Sequence, residues 1–151
     1  MYSDKFFVER NQLITIAQQY IGDPFRWGGN IPQLEGGDGT DCSGFVLYVL
    51  NLASDAQLID QTAAHLSRVL PRVESPMPGD LAFFSGRNMH VDIYIGNGQL
   101  VGSIGQEGDA VGPTTGVLLR TISESIQPDF YCSVQPLIEL SDSFPYFGFT
   151  Y

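Results

Sequence analysis

The apolar pattern of the chain changes period once, at "SPMPGD" (75–80), and that change limits the folds open to it. Before it, apolar residues recur at helical spacing; after it, they come in short runs bounded by Gly, Asn or Pro. The first part predicts a helix over Val8–Ile21, with Leu13, Ile16, Ala17 and Tyr20 on one face and Gly22, Asp23 and Pro24 as its stop. A long glycine-rich loop follows from Trp27 to Thr40. A second helix is predicted to start at Cys42, because Thr40 and Asp41 are both good N-cap types and Phe45, Val46, Val49 and Leu52 supply a buried face. A third, shorter helix is predicted over Gln61–Val69. The runs "DLAFFSG", "HVDIYIG", "QLVGSI", "GVLLRTI" and "DFYCSVQPLI" predict strands, and Asn97-Gly98 predicts a hairpin turn between two of them. Helices followed by a meander of strands predict an α+β chain, with helices packed on an antiparallel sheet of five to six strands. Residues 1–151 are expected to form one domain, with 139–151 an irregular aromatic tail.

Composition narrows the function classes. With 43% apolar and 16% charged residues, the chain suits a globular protein that buries a core. Seventeen acids against 7 Lys and Arg give a formal charge of −10, which opposes binding to nucleic acid or to anionic membrane surfaces. No stretch approaches the ~18–20 unbroken apolar residues of a membrane span. "MYSDKFFVERNQ" carries charges where a signal peptide has its apolar core, so no leader is expected. Two cysteines, Cys42 and Cys132, make neither a disulfide framework nor a zinc pair. Glu35, Asp38 and Asp41 lack the ligand spacing of a calcium loop, and no metal or cofactor is expected.

Cys42 draws the functional reading. A cysteine at a helix N-terminus feels the partial positive charge of unpaired N–H groups, which favours the nucleophilic thiolate. Ser43 and Gly44 add no bulk in front of it. Of the two histidines, His65 falls within the third helix, whereas His90 opens a strand directly after the loop "SGRNM", where an imidazole can reach a helix N-terminus. Cys132, on a strand, reads as a small core residue, and Trp27 as a wall of the cleft.

"FRWGGN", "TDCSGFVLYVL", "TAAHL", "PGDLAFF" and "HVDIYIGNGQLV" occur in the order and spacing of the NlpC-type cell-wall peptidases, papain-like cysteine enzymes. The resemblance covers about Leu13 to Val101. It implies a hydrolase of amide bonds in peptidoglycan stem peptides, typically between D-γ-glutamyl and a diamino acid. It implies Cys42 as nucleophile and His90 as general base and then acid. Asp41 and Ser43 would hold the polar end of the stem peptide, with Phe25 and Trp27 lining the cleft. Helix-start amides would serve as the oxyanion hole, and no cofactor is implied.

Two positions depart from that pattern. Phe25 replaces a residue that commonly carries a phenol, and Gly102 falls where the family has a third polar residue, usually histidine. Asp92, two residues along the strand and on the face of His90, is the favoured substitute; Ser103, a backbone carbonyl or a water are the alternatives. Gly102 and Phe25 also feed a second reading, a binding or structural module that has lost the chemistry. A third is a Cys-His acyltransferase or amidase on another substrate, which an apolar tunnel would favour over a cleft built for a zwitterionic peptide. As a wall hydrolase, the protein is expected to be a monomer made in the cytoplasm and to act at the wall or periplasm. Its delivery would then fall to a virion, a holin-type pore or a secretion machine, with a phage tail component or an immunity protein as partner.

Overall fold

The computed structural model describes residues 3–54, 58, 60–105 and 114–140. Helix α1 spans Ser3–Gln19, a two-residue ladder joins β1 (Asn30–Ile31) to β2 (Gly39–Thr40), and α2 (Cys42–Ala53) follows at once. Helix α3 (Ala63–Val69) leads to the strands β3 (Arg72–Val73), β4 (Leu81–Phe84), β5 (His90–Gly96), β6 (Gln99–Ile104), β7 (Gly116–Thr121) and β8 (Phe130–Cys132), and α4 (Gln135–Leu140) comes last. The six strands from β3 to β8 form one antiparallel sheet in the order β3-β8-β4-β5-β6-β7. The α+β class and the antiparallel sheet are therefore as the sequence predicts.

Strand alternation sorts the sheet into two faces. Leu81 and Phe83, Val91 and Ile93, and Val101 and Val117 face α1 and α2, where they meet Leu13, Ala17, Phe45, Val46, Val49 and Leu50 in one buried cluster. Helix α2 is buried on most of its circumference, which suits its nearly unbroken apolar sequence. The opposite face carries Phe84, His90, Asp92, Leu100, Gly102 and Arg120 in register. Among the described residues no helix is long and apolar enough to cross a membrane.

Several local expectations need correction. Helix α1 starts at Ser3, ahead of the predicted Val8, and α3 starts at Ala63, because Thr62 caps it by accepting from the His65 N–H at 3.1 Å. Leu52 is 47% exposed, since Leu50 and Ala53 complete the buried face of α2 in its place. "DFYCSVQPLI" is a strand only to Cys132; Pro136 sits in the first turn of α4, where its missing N–H costs no helical bond. Of the predicted irregular tail, 139 and 140 belong to α4, and 141–151 lie outside the described residues.

The turn before β4 is held by charge. Asp80, 2% exposed, accepts from the Met77 N–H at 2.8 Å and the Val134 N–H at 3.2 Å, and pairs with Arg10 of α1 at 3.0 Å. Arg10 also donates to the Pro78 carbonyl at 2.9 Å. One carboxylate thus ties α1, β4 and the approach to α4 together.

The glycine-rich loop is pinned as firmly. Asp23 accepts from the N–H groups of Gln33 and Leu34, both at 2.9 Å, and Tyr20 donates to Glu35 at 2.9 Å. The Asp41 N–H donates to the Gly29 carbonyl at 3.0 Å, which lays the loop across the start of α2. A Cβ on Gly44 would collide with that same carbonyl and lie 2.9 Å from Asp41 Oδ1. Gly44 therefore serves close loop–helix packing, not the open approach to Cys42 expected from the sequence. Gly44→Ala should lower stability by about 1–3 kcal/mol, the usual cost of overpacking, as read by urea unfolding; unchanged stability would mean that the loop is free to move away.

Candidate active site

Cys42 is the first residue of α2 and Asp41 is its N-cap. The Asp41 carboxylate accepts from the Gly44 N–H at 2.7 Å, and the Ser43 hydroxyl donates to the same oxygen at 3.4 Å. Burial raises the Asp41 pKa; the Gly44 bond opposes that shift and the nearby Asp60 charge adds to it. The amides of Cys42 and Ser43 belong to the first helical turn, which offers them no intrahelical acceptor and gathers the positive end of the helix dipole. Cys42 is half-buried, with its Sγ 4.0 Å from the Met89 carbonyl oxygen.

His90 heads β5, one residue beyond Met89, with its side chain 25% exposed. Its ring lies 5.6 Å from that of Phe84. The Nε2–H donates to Asp92 Oδ1 at 2.6 Å, which leaves Nδ1 as the ring nitrogen available to Cys42. Burial works to lower the His90 pKa, but hydrogen bonds to Asp92 and Cys42, reinforced by their charges, raise it to about 9. Asp92 has no solvent exposure. Burial alone would raise its pKa, yet His90, by hydrogen bond and charge, and Arg120 hold it below the usual carboxylate value.

The structure brings Cys42, His90 and Asp92 together, so Asp92 is not an ordinary surface acid. A Cβ built on Gly102 would overlap Asp92 Oδ1 and lie 2.6 Å from Cγ. The carboxylate of β5 thus occupies the space that a side chain at position 102 would need. Ser103 lies on the other face, where its hydroxyl, with no exposure, donates to the Thr40 carbonyl at 2.7 Å. It braces the segment before Cys42 and does not reach the imidazole.

A cleft of about 780 Å³ opens over Cys42 and His90, and Phe25, Trp27, Asp41, Ser43, Ala63 and Arg87 are among its lining residues. Phe25 is buried against Gly105, on which any Cβ would strike its ring, whereas Trp27 is 46% exposed at the rim. Trp27 therefore borders the cleft as expected while much of its ring stays open to solvent. His65 is half-buried on α3 and does not line the cleft. Cys132 is fully buried, and burial first of all raises its thiol pKa. The residue that sequence reasoning missed is Arg120, whose Nη2 lies 2.6 Å from Asp92 Oδ2. Its only sequence signal is a cation within the otherwise apolar run "GVLLRTI".

The fold agrees with the comparisons to known proteins. The sequence model of the NlpC/P60 family matches residues 22–124. The probable endopeptidase p60 of Listeria innocua is 38% identical over 92 residues, which is 59% of this chain and 18% of that relative. The chain thus spans less than a fifth of that relative's length. The crystal structure of the NlpC/p60 domain of the peptidoglycan hydrolase SagA superposes with a TM-score of 0.63 at 28% identity, covering 82% of this chain and 97% of that one. RipD of Mycobacterium tuberculosis, a non-catalytic NlpC/p60 domain protein adapted to peptidoglycan binding, shares the fold with a TM-score of 0.63 at 20% identity, over 83% and 97% of the two chains. The chain belongs to the NlpC/P60 family, a family of cysteine peptidases.

The raised His90 pKa has a consequence for stability. Because the folded value of about 9 exceeds the ordinary 6.5, the contribution of His90 is complete below pH 6.5 and is lost as pH rises towards 9. Urea unfolding across that window should show stability falling with pH, with a smaller slope in Asp92→Ala. A flat wild-type profile would exclude the raised value.

Proposed function

We propose that this chain is a cysteine amidase or endopeptidase of peptidoglycan stem peptides, with Cys42 as nucleophile, His90 as general base and acid, and Asp92 as the group that aims the imidazole. The observation that carries it is that Cys42, at the start of α2, and His90 line one cleft, with a buried carboxylate 2.6 Å behind the imidazole.

The chemistry follows from those positions. An imidazolium beside Sγ favours the charge-separated form of the pair. The sulfur attacks the amide carbonyl carbon, and the developing oxyanion is met by the amides at the start of α2. His90 gives its proton to the leaving amine as the C–N bond breaks, leaving a thioester on Cys42. The neutral imidazole then takes a proton from water, the hydroxide displaces the sulfur, and a carboxylic acid leaves. Asp92 keeps the Nε2–H in place throughout, so that Nδ1 faces the reacting atoms.

Substrate class is inferred from the cleft. It is open and carries groups of both signs, Asp41 and Arg87, which suits a peptide bearing charges of both signs better than a fatty acyl chain. This favours wall hydrolysis over the acyltransferase reading, and the assembled site favours hydrolysis over binding alone. Within that class the D-γ-glutamyl–diamino acid bond is the expected target. A net charge of −10 suits an enzyme delivered or tethered to a polyanionic wall, by virion or secretion machine, better than one that roams it.

Incubation of purified peptidoglycan with wild type and Cys42→Ala, followed by mass spectrometry of the muropeptides, tests activity and bond choice together. Cys42→Ala should cleave nothing while keeping its fold, and His90→Ala should lose at least several hundredfold, within the ~10²–10⁴ of general acid–base assistance. Cleavage by Cys42→Ala at the wild-type rate would remove the mechanism.

A further inference from the structure

We propose that Arg120 is a positioning residue of this site: reaching over the gap left by Gly102, it clamps the Asp92 carboxylate that in turn aims His90. This rests on the reading of Cys42 and His90 as the reacting pair.

The sheet register makes the arrangement possible. Ile93 pairs with Val101, which sets Asp92 opposite Gly102, while Arg120 pairs with Leu100, one step further along the same face. On β6, between β5 and β7, the position opposite Asp92 is Gly102, which contributes no side chain. Asp92 Oδ2 receives Arg120 Nη2 at 2.6 Å, and Oδ1 receives His90 at 2.6 Å, so each oxygen is held by a different cation. The guanidinium carbon lies 5.3 Å from the centre of the Phe84 ring, which itself packs on His90. Arg120 thus lies beside two neighbours of the imidazole, Asp92 and Phe84.

Removing Arg120 leaves the Asp92 carboxylate facing a single cation. It then takes up a proton or rotates towards the emptied space, and either change loosens the acceptor of the His90 Nε2–H. Arginine suits the place better than lysine, because a planar guanidinium lies against the Phe84 ring while one nitrogen reaches the carboxylate.

A double-mutant cycle over Arg120→Ala and Asp92→Ala tests the clamp. Muropeptide release should fall about 10–100-fold in kcat for Arg120→Ala, the usual effect of losing an outer orienting group, with KM little changed. In the Asp92→Ala background the same substitution should change kcat by less than about twofold, and Arg120→Lys should recover part of the loss. Equal losses in both backgrounds, or wild-type kcat in Arg120→Ala, would overturn the proposal. If Arg120→Ala does not fold, Gly102→Ala decides: it keeps Arg120 but drives a Cβ into Asp92, so kcat should fall, and wild-type kcat would refute the clamp.

Alkylation of Cys42 by iodoacetamide, followed by mass spectrometry, reads the same coupling without substrate. Coupled alkylation in a wild type that cleaves no peptidoglycan keeps the clamp and retires the hydrolytic reading. Cleavage with no coupling does the reverse.

Discussion

A carboxylate with no solvent contact, Asp92, is shared between His90 and Arg120, and the site depends on that sharing. Burial of a charge is costly unless it is paired and hydrogen-bonded, so Asp92 is ionised only because a partner sits on each of its oxygens. The same pairing outweighs the burial of the imidazole and keeps His90 protonated near neutral pH. Geometry and protonation therefore have one source. The sulfur of Cys42 lies beside a ring whose direction and charge that pairing sets.

The scaffold supplies the other half. Helix α2 brings its N-terminus to the head of β5 because its apolar faces are buried against both α1 and the sheet. The glycine-rich loop crosses that N-terminus and is pinned at Asp23, Glu35 and Gly29. Ser103 ties β6 to the Thr40 carbonyl just ahead of Cys42. Sulfur and imidazole come from different elements, each fixed to the same sheet, so neither relies on a loose segment for its position.

Much of this was legible in the sequence, and the exceptions have physical causes. Cap residues ahead of an apolar helix located Cys42, and strand alternation placed Asp92 on the face of His90. Arg120 was hidden because finding it needs the register across three strands. The Asn97-Gly98 turn alone, which pairs Gly96 with Gln99, would set Asp92 opposite Ser103; a bulge between Tyr94 and Gly96 shifts the register by one and brings Gly102 there instead. Gly102 looked like a missing residue, when it is the opening through which two others meet. Leu52 was misread because a helix covered on several sides does not disclose which apolar residue is left outside. The extended reading of "DFYCSVQPLI" holds only to Cys132, because Pro136 sits in the first turn of a helix as readily as it ends a strand.

The pair of cations on one buried carboxylate is most directly tested by NMR of histidine labelled with ¹⁵N in the ring. The Nε2–H proton of His90 should resonate far downfield, as expected for a short bond to a carboxylate, and persist as pH rises towards 9. A ring that titrates near 6.5, or one whose Nε2 carries no such proton, would contradict the account.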